Sequence, residues 1–141
     1  MFNRIVLILI ITGFIYAQDE QKVVLITGTA YGIGKSTAEL LIDKGHIVYG
    51  GDILVEENLY LNDIGGTALE MDVTNQEHID KAINQIISEQ GRVDVLVNNA
   101  GLGVYGAIED VSMEDIYYQY DVNLFGSVSY THLTLPTSDL V

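Results

Sequence analysis

Gly28, Gly32 and Gly34 stand in a short stretch that follows the apolar run Val24-Leu25-Ile26 and leads into a helical pattern. Residues of these types at this spacing can grip a diphosphate. Gly28 allows a sharp turn, Gly32 lets the main chain approach a pyrophosphate with no side chain between, and Gly34 lets the new helix pack closely on its strand. Tyr31 and Ile33 ride on the same turn, where the first N–H groups of the helix and their partial positive charge face the ligand. Many strand-to-helix turns need glycine for backbone reasons alone, so the turn gains meaning only with further groups. Asp52 is one, ending the second apolar run 18 residues past Gly34. A carboxylate there can accept hydrogen bonds from ribose hydroxyls and repel a 2′-phosphate. Ile53 follows it and the next cation along the chain is Lys81, so the pattern predicts NAD in preference to NADP. A solvated turn aspartate is the alternative.

The elements that must position these groups alternate. Residues 22–27 read as a strand, and 33–44 as a helix with Ala38, Leu41 and Ile42 on one face and Gly45 as its stop. Residues 47–51 form a second strand, 56–63 a short helix, Gly65-Gly66 a turn and 67–71 a third strand. Thr74 or Asn75 caps a helix in which Ile79, Ala82, Ile83, Ile86 and Ile87 recur at helical spacing up to Gly91. Residues 93–97 make a fourth strand, and a helical pattern runs through 111–125. Such alternation predicts an α/β fold, a doubly wound parallel sheet with helices on both faces. Right-handed crossovers place the C-terminal ends of all strands on one edge, where open α/β sheets bind ligands, and the candidate residues all fall there.

From about residue 20 to residue 126 the chain resembles the short-chain dehydrogenase/reductase family at five places in the expected order. These are Thr27-Gly28-x-x-x-Gly32-x-Gly34, Val48-Tyr49-Gly50-Gly51-Asp52, Met71-Asp72-Val73-Thr74, Val97-Asn98-Asn99-Ala100-Gly101, and Asn123 within Val122-Asn123-Leu124-Phe125-Gly126. The resemblance implies a Rossmann-type sheet, here truncated after the fourth strand and part of the following helices. It implies that the Asp72 carboxylate receives the adenine amine while the Val73 main chain fixes the ring, although a turn or capping role for Asp72 stays open. Asn98, Asn99, Ala100 and Gly101 would stabilise the sheet and pass beneath the cofactor ribose, where small residues let the backbone come close. Asn123 would be the catalytic asparagine that bends its helix and holds a water in a proton relay.

The family moves hydride between nicotinamide and a carbonyl or alcohol carbon with a Tyr, a nearby Lys and a Ser. Tyr31 to Lys35 spells Tyr-x-x-x-Lys, but Gly32-Ile33-Gly34 between them belong to the phosphate turn, so the match is a decoy. Tyr105, Tyr117, Tyr118 and Tyr120 have no lysine four residues on and are expected to pack or to line a dimer helix. The expectation is therefore an NAD(P)-dependent oxidoreductase of small-molecule alcohols or ketones, a possible homo-oligomer when intact. As the sequence stands it would be an inactive fragment without the Ser and the Tyr-x-x-x-Lys. A dinucleotide-binding sensor or scaffold without chemistry is the competing class. Sugar-nucleotide epimerases fit less well, because their glycine spacing differs.

Composition excludes other classes. A formal charge of −14 with only six Lys and Arg, spread along the chain, argues against nucleic acid. The chain has no cysteine, and His46, His78 and His132 stand too far apart to suggest a ligand cluster, so no metal is expected. Residues 1–17 resemble a signal peptide: a basic start at Arg4, an apolar run over 5–15, then Ile15-Tyr16-Ala17 before polar Gln18. That run is shorter than the roughly 20 residues that span a bilayer as a helix. Export or membrane association is one expectation for location, and the cytoplasmic NAD pool is a pull the other way. Residues 18–127 then form the partial NAD-binding domain. From about Val128 to Thr137 the chain resembles translated sequencing-adaptor DNA, which makes 128–141 a non-native tail; a divergent native tail is the alternative.

Overall fold

A computed structural model of the protein describes residues 20–129. The leader expected over 1–17 and most of the tail expected from 128 lie outside the described residues.

Four parallel strands, β1 (Val23–Thr27), β2 (Ile47–Asp52), β3 (Thr67–Glu70) and β4 (Val95–Val97), form one sheet in the order β3-β2-β1-β4. Between them run α1 (Gly32–Asp43), two short turns α2 (Val55–Asn58) and α3 (Tyr60–Asp63), and α4 (Gln76–Gln90). After β4 come α5 (Met113–Tyr120), a π-helical segment (Asp121–Gly126) and α6 (Ser127–Ser129). Strand β1 is central, so all five of its residues are buried, and period-2 alternation divides them between two cores. Val23 and Leu25 pack with Tyr49, Leu69 and the Ile79, Ala82, Ile83 and Ile86 stripe of α4. Val24 and Ile26 face the other way, onto Ala38, Leu41 and Ile42 of α1 with Val48 and Leu61. Each fully buried aliphatic side chain here contributes about 1.5–3 kcal/mol relative to exposure. The doubly wound sheet expected from the sequence is the one found.

Local punctuation follows the residue types. Asn75, rather than Thr74, caps α4: its side-chain oxygen accepts from the N–H of Glu77 at 2.9 Å and of His78 at 3.4 Å. Gly91 ends that helix in the left-handed region at φ 74°. Strand β4 is shorter than the 93–97 expected, because the Asp94 carboxylate takes the Val23 N–H at 2.7 Å. The single helix expected over 56–63 is two turns broken at Leu59. There the Leu59 N–H reaches Glu56 O and the Asn62 N–H reaches Leu59 O, both three residues back, which tightens the winding. The helical pattern of 111–125 opens at Ser112, whose hydroxyl caps the Asp115 N–H at 3.1 Å, and widens to π-helix from Asp121. Among the described residues no helix is long and apolar enough to cross a membrane.

Candidate dinucleotide cleft

Strand order reverses at β1, with β2 on one side and β4 on the other, and a crevice opens at the C-terminal ends of the strands. Its volume is about 420 Å³.

The glycine turn forms one wall, and each glycine is required for a different reason. Gly28 has φ 75°, its N–H donates to Gly51 O at 2.7 Å, and an added Cβ would lie 2.8 Å from the Ala100 Cα. A Cβ on Gly34 would strike the Gly28 carbonyl and the Asn99 side chain, so α1 can start this close to the strand only from a glycine. Gly32 differs: φ is 60° and the space where a Cβ would stand is open. Here the backbone conformation, not crowding, selects glycine, and the main chain is left exposed beside the crevice.

The segment after β4 locks onto that turn. Thr27 Oγ1 accepts from the N–H of Asn99 at 3.2 Å and of Ala100 at 3.0 Å, while Asn99 Nδ2 donates to the carbonyls of Thr27 and Gly28, both at 2.9 Å. Asn99 thus satisfies carbonyls that the turn has removed from the sheet ladder. Asn98, just past β4, is exposed.

Asp52 sits at the end of β2 and is only 8% exposed. Its Oδ2 accepts from the Ala30 N–H at 2.8 Å and its Oδ1 from the Leu54 N–H at 3.0 Å, so the carboxylate is clamped in one orientation. Each oxygen keeps lone-pair capacity for a further donor. Asp72 serves its turn: Oδ1 accepts from the Thr74 N–H at 2.8 Å and hydroxyl at 2.7 Å. It also lines the cleft, beside Val73 and Met71.

Asn123 lies on the π-helical segment, its Oδ1 accepting from the Leu102 N–H at 2.9 Å and its Nδ2 donating to the Leu102 carbonyl at 2.8 Å. This pins the loop after Gly101 to the helix. Gly126 lets the same segment approach β3's exit, since a Cβ there would lie 2.9 Å from Val73 Cγ2. Helices that widen in this way often do so at functional sites.

Of the residues expected at the site, Gly28, Tyr31, Ile33, Asp52, Asp72, Val73, Ala100 and Gly101 line one cleft. Gly32, Gly34, Asn98 and Asn123 support or flank it without lining it. Sequence reasoning missed Leu54, Leu102, Tyr118 and Val122 as lining residues, and Ile53, Met71 and Asn99 complete the wall. Tyr118, expected to pack or to line a dimer helix, is one of the residues lining the cleft. Only the helical spacing of Tyr118 and Val122, four residues apart, signalled a shared face. Of the Tyr31 and Lys35 pair, Lys35 Nζ stands 4.3 Å over the Tyr60 ring and Tyr31 is exposed. Burial, with help from Glu39 and Asp52, pushes the Tyr60 phenol up to about 12. His46 and His78 each accept a main-chain N–H, from Lys22 and from Asp72, both at 3.3 Å. His132 lies outside the described residues. Among the described residues no group of His, Asp and Glu could hold a metal.

The comparisons with known proteins agree. Residues 22–139 match the family described as short chain dehydrogenase. The chain is 45% identical over 118 residues to a 3-ketodihydrosphingosine reductase of Bacteroides thetaiotaomicron, covering 83% of this chain and 42% of that protein. It is 36% identical over 116 residues to an NADPH-dependent 3-dehydrocapnine reductase of Ornithobacterium rhinotracheale, covering 79% and 41%. The crystal structure of a 3-ketoacyl-(acyl-carrier-protein) reductase from Brucella melitensis complexed with NADH superposes with a TM-score of 0.78 at 31% identity, covering 82% of this chain and 49% of that one. The chain therefore spans less than half the length of these relatives. These matches show that the chain belongs to the short chain dehydrogenase family.

Proposed function

We propose that the cleft binds the adenosine diphosphate half of a nicotinamide dinucleotide, and that the intact protein is an oxidoreductase interconverting a ketone and a secondary alcohol. The observation that carries this reading is a single cleft lined both by the glycine turn, through Gly28, Tyr31 and Ile33, and by the clamped Asp52 carboxylate. The residues fit the group. The turn from Gly28 to Gly34, with Tyr31 and Ile33 on it, would hold the diphosphate at the start of α1. Asp52 would accept the ribose hydroxyls, Asp72 and Val73 would frame the adenine, and Ala100 and Gly101 would pass under the nicotinamide ribose, with Asn98 bracing the strand end. When bound, the dinucleotide supplies the hydride donor or acceptor.

Asn123 acts by position: with its amide committed to Leu102, it fixes the loop and the helix that border the reacting end of the cleft. The Tyr, Lys and Ser that would handle the substrate proton are assigned to the part of the relatives that this chain does not span. The 141-residue chain alone is accordingly proposed to bind without turning over substrate. The names of the relatives point to both nicotinamide cofactors. Asp52 favours NAD, because a fixed carboxylate next to the 2′-position repels a phosphate.

Titration of NADH and NADPH into the intact protein by calorimetry tests this, with NADH expected to bind more tightly. Asp52→Ala also deprives the Ala30 and Leu54 N–H groups of their acceptor, so the ratio of the two affinities is the useful readout rather than either alone. That ratio is expected to move toward NADPH by roughly tenfold, about 1.4 kcal/mol. An unchanged ratio removes Asp52 from the ribose site. Binding without ketone reduction across a substrate panel would favour the sensor or scaffold.

A further inference from the structure

The turn between Gly28 and Gly32 is held from behind by side chains that its glycine spacing does not foretell. Thr29 lies within it yet is wholly buried, and its hydroxyl donates to Asn58 Oδ1 at 2.8 Å. Asn58, also wholly buried, donates from Nδ2 to the Gly50 carbonyl at 2.8 Å and, more weakly, toward the Leu69 carbonyl at 3.4 Å. Tyr60 donates its hydroxyl to the Thr29 carbonyl at 3.0 Å. One asparagine therefore ties the turn to β2 and β3 together. Gly50 makes room for the arrangement, since a Cβ there would come 2.5 Å from Thr29 Oγ1.

We propose that Asn58, acting through Thr29, is a positioning residue that presets the main-chain path of the diphosphate turn. The inference rests on the dinucleotide reading of the cleft. An amide and a hydroxyl buried together cost desolvation that a pair of apolar side chains of the same shape would not, so the pair adds little to stability. What it adds is direction. The Thr29 hydroxyl has one acceptor in reach and its carbonyl one side-chain donor, while Asp52 holds the next N–H, of Ala30, from the cleft side. A turn fixed at successive residues has little left to order when a ligand arrives, and that lowers the cost of binding.

The test uses the intact protein, with NADH affinity measured by fluorescence well below the melting temperature and Tm recorded beside it. Thr29→Val, nearly isosteric, is expected to weaken NADH binding about fivefold, the effect of one net hydrogen bond. Thr29→Ser, which keeps the hydroxyl, is expected to restore it. The double variant Thr29→Val with Asn58→Leu removes both side-chain partners and also takes the amide donor from the Gly50 and Leu69 carbonyls, and it is expected to leave affinity unrecovered whatever its Tm. A lowered Tm with unchanged Kd in Thr29→Val, or recovery of affinity together with Tm in the double variant, would show a structural strut and overturn the proposal. Should Thr29→Val fail to fold, Tyr60→Phe removes the second bond to the same residue: a raised Kd supports the proposal and an unchanged one overturns it. Wild-type protein that does not bind NADH overturns the dinucleotide reading itself, an outcome distinct from either.

Discussion

The half of the sheet built from β1, β2 and β3 and the half built from β4, α5 and the π-helical segment are put together differently. In the first, β1 is buried along its whole length, and the turn that leaves it is tied by Asn58, Tyr60, Asp52 and Asn99. In the second, Val95 of β4 is 39% exposed, and Tyr105, Ile108, Leu124 and Phe125 all face outward, Ile108 at 89%. Strand β1 has a neighbour on each side, whereas β4 pairs only with β1 among the described residues. The difference teaches where the information for each half resides. The β1–β3 side buries its strand faces against α1 and the isoleucine stripe of α4. The β4 side, where Asn123 and Tyr118 stand, leaves large apolar side chains exposed.

Paired substitutions in the intact protein break or sharpen that contrast. The largest effect is expected for Ile86→Ala in the closed half, about 2–5 kcal/mol lost in chemical denaturation from a fully buried site. Ile108→Ala in the open half is expected to cost under about 0.5 kcal/mol. A loss for Ile108 as large as that for Ile86 would mean the intact protein buries it, and the contrast would belong to this stretch of chain alone. Within the turn, Gly34→Ala is expected to destabilise by about 1–3 kcal/mol through its collision with the Gly28 carbonyl. Gly32→Ala meets no atom and is expected to cost about 1–2 kcal/mol, from its left-handed backbone conformation alone. A cost below about 0.5 kcal/mol for Gly34→Ala would deny the collision, and one as small for Gly32→Ala would deny the conformational penalty.

The smallest effect concerns pH. The phenol of Tyr60, raised in the folded state to about 12, stays protonated where an unfolded tyrosine near pH 10 would ionise. Above pH 10 the unfolded chain then binds fewer protons than the native one, so stability is present below that pH and falls as pH rises toward 12. Burial raises the Tyr49 phenol as well, so ultraviolet titration should find more than one tyrosine ionising late, and Tyr60→Phe should remove one late proton and leave that of Tyr49. A tyrosine titration complete near pH 10 would place Tyr60 in solvent.

Much of the positioning was legible before any coordinates. The isoleucine stripe of α4 between Asn75 and Gly91 fixes a helix by its period and its punctuation, and Asp52 declares itself by its distance from the glycines. The break at Leu59 was not legible, since eight residues of mixed polarity look like one short helix until the amide of Asn58 is drawn inward to Gly50. The widening at Asp121 was equally silent. It accompanies the pairing of Asn123 with Leu102, 21 residues earlier in the chain. Gly126 gave no local cue, because its reason is the Val73 side chain against it.

Local spacing along the chain determined the alternation of strand and helix, the glycine turn and the acid after the second strand, because those depend on backbone preferences and on periods of two and 3.6 residues. Tertiary structure alone decided that Asn58 stands behind Thr29, that Leu102 and Tyr118 close the cleft, and that Asp72 serves both its turn and the site. Those contacts arise from the register of parallel strands whose partners lie 18 to 71 residues apart, and no short-range pattern encodes that distance.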